Sequence, residues 1–180
     1  ENWVLNELPK YRDLTDSVAN IFYKKLVDAW EDSFLKTEKY YDYDTTFHAA
    51  VYYRDAIMIG GIGDGMAVIS IEGDNPTDVI DASDLFSNVT NSMCTLDVRD
   101  KIGGYTFKFS SDKAYAAIIL SSDGIADDLI PEKKLTLPEY FYSTINDSGV
   151  AALQSEIEEW LTDWQTEGHS DDKTIAYMII

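Results

Sequence analysis

Between Thr45 and Ile71 the chain reads TTFHAAVYY, RD, AIMIGGIG, DG, MAVISI: three β-prone runs separated by only two residues each. Two residues cannot form the crossover that a parallel pair of strands requires, so neighbouring runs of this kind pair antiparallel. Arg54-Asp55 forms the first turn. Asp64-Gly65 is a favoured two-residue hairpin sequence, because both turn positions accept positive φ, and it predicts a second hairpin with Asp64 at a sheet edge. Further strand candidates are SMCTLDV, YTFKFS beyond Gly103-Gly104, KAYAAIIL beyond Ser111-Asp112, and TIAYMII at the end of the sequence.

Two helical tracts flank these strands. From Thr15 to about Leu35, Val18, Ile21, Phe22, Leu26, Trp30 and Phe34 recur at three- and four-residue steps with charged residues between them. A second tract spans roughly Pro138 to Gly168, where Val150, Leu153, Ile157, Trp160, Leu161 and Trp164 share a face and Gly168 is a plausible C-cap. Helix, strands, helices and a final strand predict an α+β fold, largely antiparallel rather than doubly wound. At 180 residues with 45% hydrophobic side chains, a single globular domain over 1–180 is expected.

The formal charge of −19, from 33 acids against 14 Lys and Arg, disfavours nucleic acid and anionic membranes as partners, since no basic stripe exists to displace counterions. No apolar run approaches the length of about 20 residues that spans a bilayer. Cys94 is the only cysteine, which excludes an intrachain disulfide and a thiolate zinc cluster, and fits a reducing, cytoplasmic compartment. Asn88 and Asn146 match a glycosylation pattern too short to carry weight.

The acids are not evenly spread. AIMIGGIG ends at Asp64, YAAIILSS ends at Asp123 with Asp127 and Asp128 close behind, and TIAYMII follows Asp171-Asp172. If the last strand runs antiparallel to the other two, the three acidic turns share one sheet edge. Gathered carboxylates repel and must be compensated by cations or protons, and hard oxygen donors suit Mg²⁺ or Mn²⁺. The alternative is a set of ordinary solvated turns.

SSDGIADDL resembles the acidic motif that follows a buried strand in type 2C metal-dependent protein phosphatases, and SDDKTIAYMII resembles their C-terminal motif. DTTFHAAVYYRDAIMIGGIGDGMAVIS is similar to their central block, and NVTNSM to the Asn-x-Thr segment of the bacterial branch. The order and intervals agree from Thr45 to Ile180. The resemblance implies an antiparallel β-sandwich of two sheets flanked by helices, with metals at one end. It implies that Asp123 bridges a main and an outer metal site, that Asp172 ligates the main site, with Asp171 as the fallback, and that Asp64 and Asp127 complete the outer one. Gly124 would permit the tight turn at Asp123, and Gly65 would support the turn at Asp64. Lys173 stands where many relatives carry Asn. The activity implied is hydrolysis of phosphoserine or phosphothreonine in protein substrates by a metal-activated water at a binuclear Mg²⁺ or Mn²⁺ site, with two or three ions in the complete domain.

One departure stands against this. The family's Asp-Gly-x-Gly-Gly segment before the first long helix has no counterpart in ENWVLNELPKYRDLTD. The expectation is therefore a later part of a longer protein, or else a catalytically inactive type 2C-like regulatory or binding module. Other residues read as structural. His48 belongs to a strand, His169 to a loop after a helix, and Trp160 with Trp164 to the core. Ser121 and Ser122 lack a nucleophile elbow. The cluster Gly60, Gly61, Gly63 and Gly65 lacks a P-loop lysine, and reads instead as room for close strand packing.

Overall fold

A computed structural model describes residues 2–33, 40–80, 90–164 and 171–180, and among these described residues are seven strands and six α-helices. The elements are α1 (Asn2–Glu7), α2 (Asp16–Glu31), β1 (Phe47–Tyr53), β2 (Ala56–Ile62), β3 (Met66–Ile71), β4 (Thr77–Asp78), α3 (Val98–Lys101), β5 (Gly103–Lys108), β6 (Ala116–Ser121), α4 (Asp123–Ala126), α5 (Pro131–Ser148), α6 (Val150–Asp163) and β7 (Ile175–Ile179). Every strand pair among the described residues is antiparallel, and the two-residue connection at Arg54-Asp55 joins one of them, β1 and β2. The architecture is α+β, with two antiparallel sheets accompanied by helices.

The strands divide into two compact units. The first comprises residues 1–64 and 82–110 and holds a three-stranded sheet in the order β1-β2-β5. Helix α2 packs on this sheet, its first turn capped by the Thr15 hydroxyl, which accepts from the Val18 N–H at 3.3 Å. The buried stripe of α2 is Ala19, Phe22, Tyr23 and Val27, and it meets Ala56 and Met58 of β2. This differs from the expected face by a rotation: Ile21 is exposed, while Val18, Leu26 and Trp30 sit at the margin. Tyr23 explains the rotation. Its hydroxyl donates to the Ala49 carbonyl at 2.9 Å and lies 3.3 Å from that of Met58, and its ring lies where a Cβ on Gly60 or Gly104 would be, within 2.6 Å. The two glycines thus serve close packing of a helix on a sheet.

The second unit comprises residues 65–81 and 111–180, with strand order β4-β3-β6-β7. Its core joins Met66, Val68 and Ile119 to Ala126, Phe141, Leu153 and Ile157, with Trp160, Ile175 and Tyr177 at the edge. The predicted helical tract from Pro138 to Gly168 consists of two helices, and it begins earlier. Pro131 occupies the first turn of α5, where its missing N–H costs nothing, and Gly149 at φ 88° separates α5 from α6. Leu153 and Ile157 are buried as expected, whereas Val150 is half exposed. Gly168 lies outside the described residues, as do Phe34, Asn88 and His169.

Two strand-level expectations are corrected. Arg54-Asp55 makes a two-residue hairpin, with Tyr53 opposite Ala56 and Arg54 at φ 59°. Asp64-Gly65 makes none: β2 pairs with β1 and β5, β3 pairs with β4 and β6, and neither Asp64 nor Gly65 has positive φ. The positive φ falls on Gly63, at 129°. The segment SMCTLDV is not a strand, because its side chains satisfy backbone groups locally. Thr95 Oγ1 accepts from the Ser92 N–H at 2.6 Å, Asp44 Oδ1 accepts from the Cys94 N–H at 2.9 Å, and Asp97 adopts φ 61° ahead of α3.

Candidate metal centre

The end of β6 and the start of β7 define one rim of the second unit, because Ser121 pairs with Ile175 and places Asp123 and Asp172 at the same end of the strand pair. Beyond the ladder, Ser122 continues the pairing with its own side chain. Its N–H donates to the Thr174 carbonyl at 3.0 Å, its hydroxyl donates to the Asp172 carbonyl at 2.9 Å, and the Thr174 N–H donates back to that hydroxyl at 3.0 Å. The loop carrying Asp171 and Asp172 is thereby pinned to the residue that precedes Asp123.

Gly124 completes the junction. A Cβ there would lie 2.7 Å from the Asp172 carbonyl oxygen, 3.1 Å from that of Asp171 and 3.2 Å from the Asp171 Cβ, so only glycine allows the turn to seat against this loop. Gly124 acts here by contact rather than by φ. Asp123 itself is half-buried at the first position of α4; its Oδ1 accepts from the Gly124 N–H at 2.7 Å, and its carbonyl accepts from the Asp127 N–H at 2.9 Å. Asp127 and Asp128 are exposed on the following turn, and Asp128 Oδ2 accepts from the Trp164 indole N–H at 2.7 Å. Trp164 is therefore half-buried and held by a surface carboxylate, a correction to its assignment as core; Trp160 packs against the core as expected.

Asp64 belongs to the first unit, directly after β2. It is half-buried, and its Oδ2 accepts a hydrogen bond from the Thr90 hydroxyl. Thr90 is the partner of Asp64 that the reading of single motifs did not name, although the NVTNSM segment contains it. His48, on β1, is mostly buried; burial pushes its imidazole below the ordinary value, opposed by the Asp64 charge, and its Nε2 has no hydrogen-bond partner. Cys94 offers no nucleophile: burial, with Asp44 beside it, pushes its thiol up to about 11.

By donor type the aspartates fit a hard, oxygen-ligated cation, and the Gly124 cradle brings two of the expected ligands, Asp123 and Asp172, to one junction. Within each unit, no three His, Cys, Asp or Glu among the described residues are gathered closely enough to hold a metal ion. No helix among them is long and apolar enough to cross a membrane.

Comparison with curated proteins and with solved structures returns no match. The family model described as protein phosphatase 2C matches residues 2–162, which takes in the first helical tract, most of the second, the Asp64 turn and the Asp123 turn. The match stops short of Asp171-Asp172, whose placement rests instead on the β6–β7 register and the Ser122 hydrogen bonds. With most of its length covered, and with the antiparallel sheets and the acidic turn in order, the chain belongs to the protein phosphatase 2C family.

Proposed function

We propose that the chain carries the site of a metal-dependent phosphatase acting on phosphoserine and phosphothreonine in proteins. The observation that supports this best is the seating of the Asp123–Gly124 turn against the Asp171–Asp172 backbone, in a chain of this family. Asp123 and Asp172, both of the second unit, would hold the divalent cation, Mn²⁺ or Mg²⁺, with Asp171 adjacent and Asp127 as an outer carboxylate. Bound there, the cation would neutralise phosphoryl charge and acidify water, the chemistry on which such hydrolysis depends. The protein's own share is positional. Ser122 fixes the loop of Asp172, the Gly124 N–H orients Asp123 Oδ1, and the glycine keeps the two backbones in contact. The Asn-x-Thr segment ending at Thr90 supports the bacterial branch, and the single Cys94 supports a cytoplasmic setting.

A second reading, an inactive regulatory or binding module, is favoured by one observation: neither unit gathers three metal donors among its described residues. Turnover separates the two. Hydrolysis of p-nitrophenyl phosphate and of a phosphothreonine peptide that requires Mn²⁺, and that falls about 100-fold or more in Asp123→Asn, bears out the phosphatase. Absence of metal-dependent turnover in the full-length protein, with or without calorimetric Mn²⁺ binding, establishes the module instead.

A further inference from the structure

We propose that the groove along α5 and α6 is a docking site for a basic segment of a protein substrate, anchored by an apolar or aromatic side chain. This rests on the phosphatase reading for the word substrate, and on the groove alone for the chemistry of what binds. The floor and walls are Ile125, Leu129, Leu137, Trp160, Trp164 and Ile175, all of the second unit, enclosing about 1110 Å³. That volume exceeds the roughly 300–1,000 Å³ usual for small-molecule pockets and suits an extended peptide.

The rim supplies the sign of the partner. Glu156, Glu159 and Asp163 follow one another at three- and four-residue steps, so they edge one side of α6, and Lys133 is the one cation among the described lining residues. Glu159 and Asp163 are exposed, and such charges act by steering and selecting a partner of opposite sign more than by raw affinity. The walls are built in advance. The Trp164 indole N–H is held by Asp128 at 2.7 Å, and the Tyr140 hydroxyl donates to Glu156. A second copy of the chain is a poor occupant, because each copy carries a formal charge of −19.

Position ties the groove to the candidate metal centre. Ile125 follows Asp123 by two residues, and Ile175 follows Asp172 by three, so a segment anchored between them lies alongside the acidic turn. The groove would thus select phosphoproteins whose phosphorylated residue is flanked by a basic, apolar-anchored stretch.

The test uses an unphosphorylated fluorescent peptide with a Leu-Trp anchor between Arg-Lys pairs, titrated by anisotropy into the full chain. Saturable binding is expected, at least about tenfold weaker in the double variant Glu159→Lys/Asp163→Lys, and lost when the anchor is replaced by Ser-Ser. The control Asp13→Lys/Asp100→Lys alters net charge equally at exposed positions of the first unit. An equal loss in the control, no binding at all, or a self-associated chain that Glu159→Lys/Asp163→Lys dissociates, each overturns the proposal. Failure of the phosphatase reading is a separate result: peptide binding as described, with no metal-dependent turnover of p-nitrophenyl phosphate.

Discussion

Replacing Gly124 by alanine tests the contact on which the candidate metal centre depends. The added methyl would sit 2.7 Å from the Asp172 carbonyl oxygen and 3.1 Å from that of Asp171, and both are backbone atoms that cannot rotate aside. Forcing a methyl into such a site costs about 1–3 kcal/mol. Gly124 lies in α4, where alanine gains back up to about 1 kcal/mol of helix propensity, leaving a net destabilisation of about 1–2 kcal/mol. In a chain of this length each kcal/mol moves the melting temperature by about 2–4 °C, so Gly124→Ala should melt about 2–8 °C lower by scanning calorimetry. Gly149→Ala is the control. That glycine sits at φ 88° with nothing within 4 Å of the added carbon, so its cost is conformational strain of about 1–2 kcal/mol without displacement of the acidic loop. If Asp123 and Asp172 hold the cation, Mn²⁺ affinity by calorimetry should fall in Gly124→Ala and stay unchanged in Gly149→Ala. A Gly124→Ala protein as stable as the unsubstituted one, binding Mn²⁺ equally well, would refute the argument that this junction is set by backbone contact.

Two further outcomes concern the first unit. Glu7 is 4% exposed and is bound by Lys10 at 2.5 Å, by Lys25, and by the Tyr11 hydroxyl at 3.0 Å; Lys10 first and then Lys25 hold its carboxyl at about 2 against an ordinary 4.5. Because the folded value is depressed, the stabilisation is complete above about pH 5 and is lost as pH falls toward 2, so urea midpoints should drop across that window and the slope should flatten in Glu7→Gln. Tyr23→Phe removes the donor to the Ala49 carbonyl from a fully buried position and should cost about 1–3 kcal/mol in urea unfolding with little change in m-value; burial raises the Tyr23 phenol well above its usual value, so the effect should not vary with pH between about 5 and 9.

Features decided by neighbours in sequence were legible. The two-residue spacing at Arg54-Asp55 fixed an antiparallel pair, Thr15 marked the start of α2, and the run from Ala116 to Ser121 into Asp123 marked a strand ending in an acidic turn. The antiparallel sense of the last strand entered only as a condition; it holds against β6, whereas β2, which the same condition put at that edge, belongs to the other sheet. Where a segment had two local options of similar free energy, the pattern chose wrongly. SMCTLDV carries β-prone residues, but the Thr95 hydroxyl accepts from the Ser92 N–H, Asp97 takes a left-handed backbone, and Asp44, distant in sequence, captures the Cys94 N–H.

The amino-acid sequence by itself determined the α+β class, the acidic turn and the family, because these follow from hydrophobic period, turn chemistry and motif order within short windows. Only the tertiary structure decided which strands share a sheet, that Asp64-Gly65 carries the chain from one sheet into the other instead of folding it back, and that Trp164 walls a groove rather than filling a core. The physical reason is common to all three. A strand's ladder, a turn's φ and an aromatic ring's burial depend on which distant groups offer hydrogen bonds and contact area. Those partners are named by the fold and not by the residues alongside.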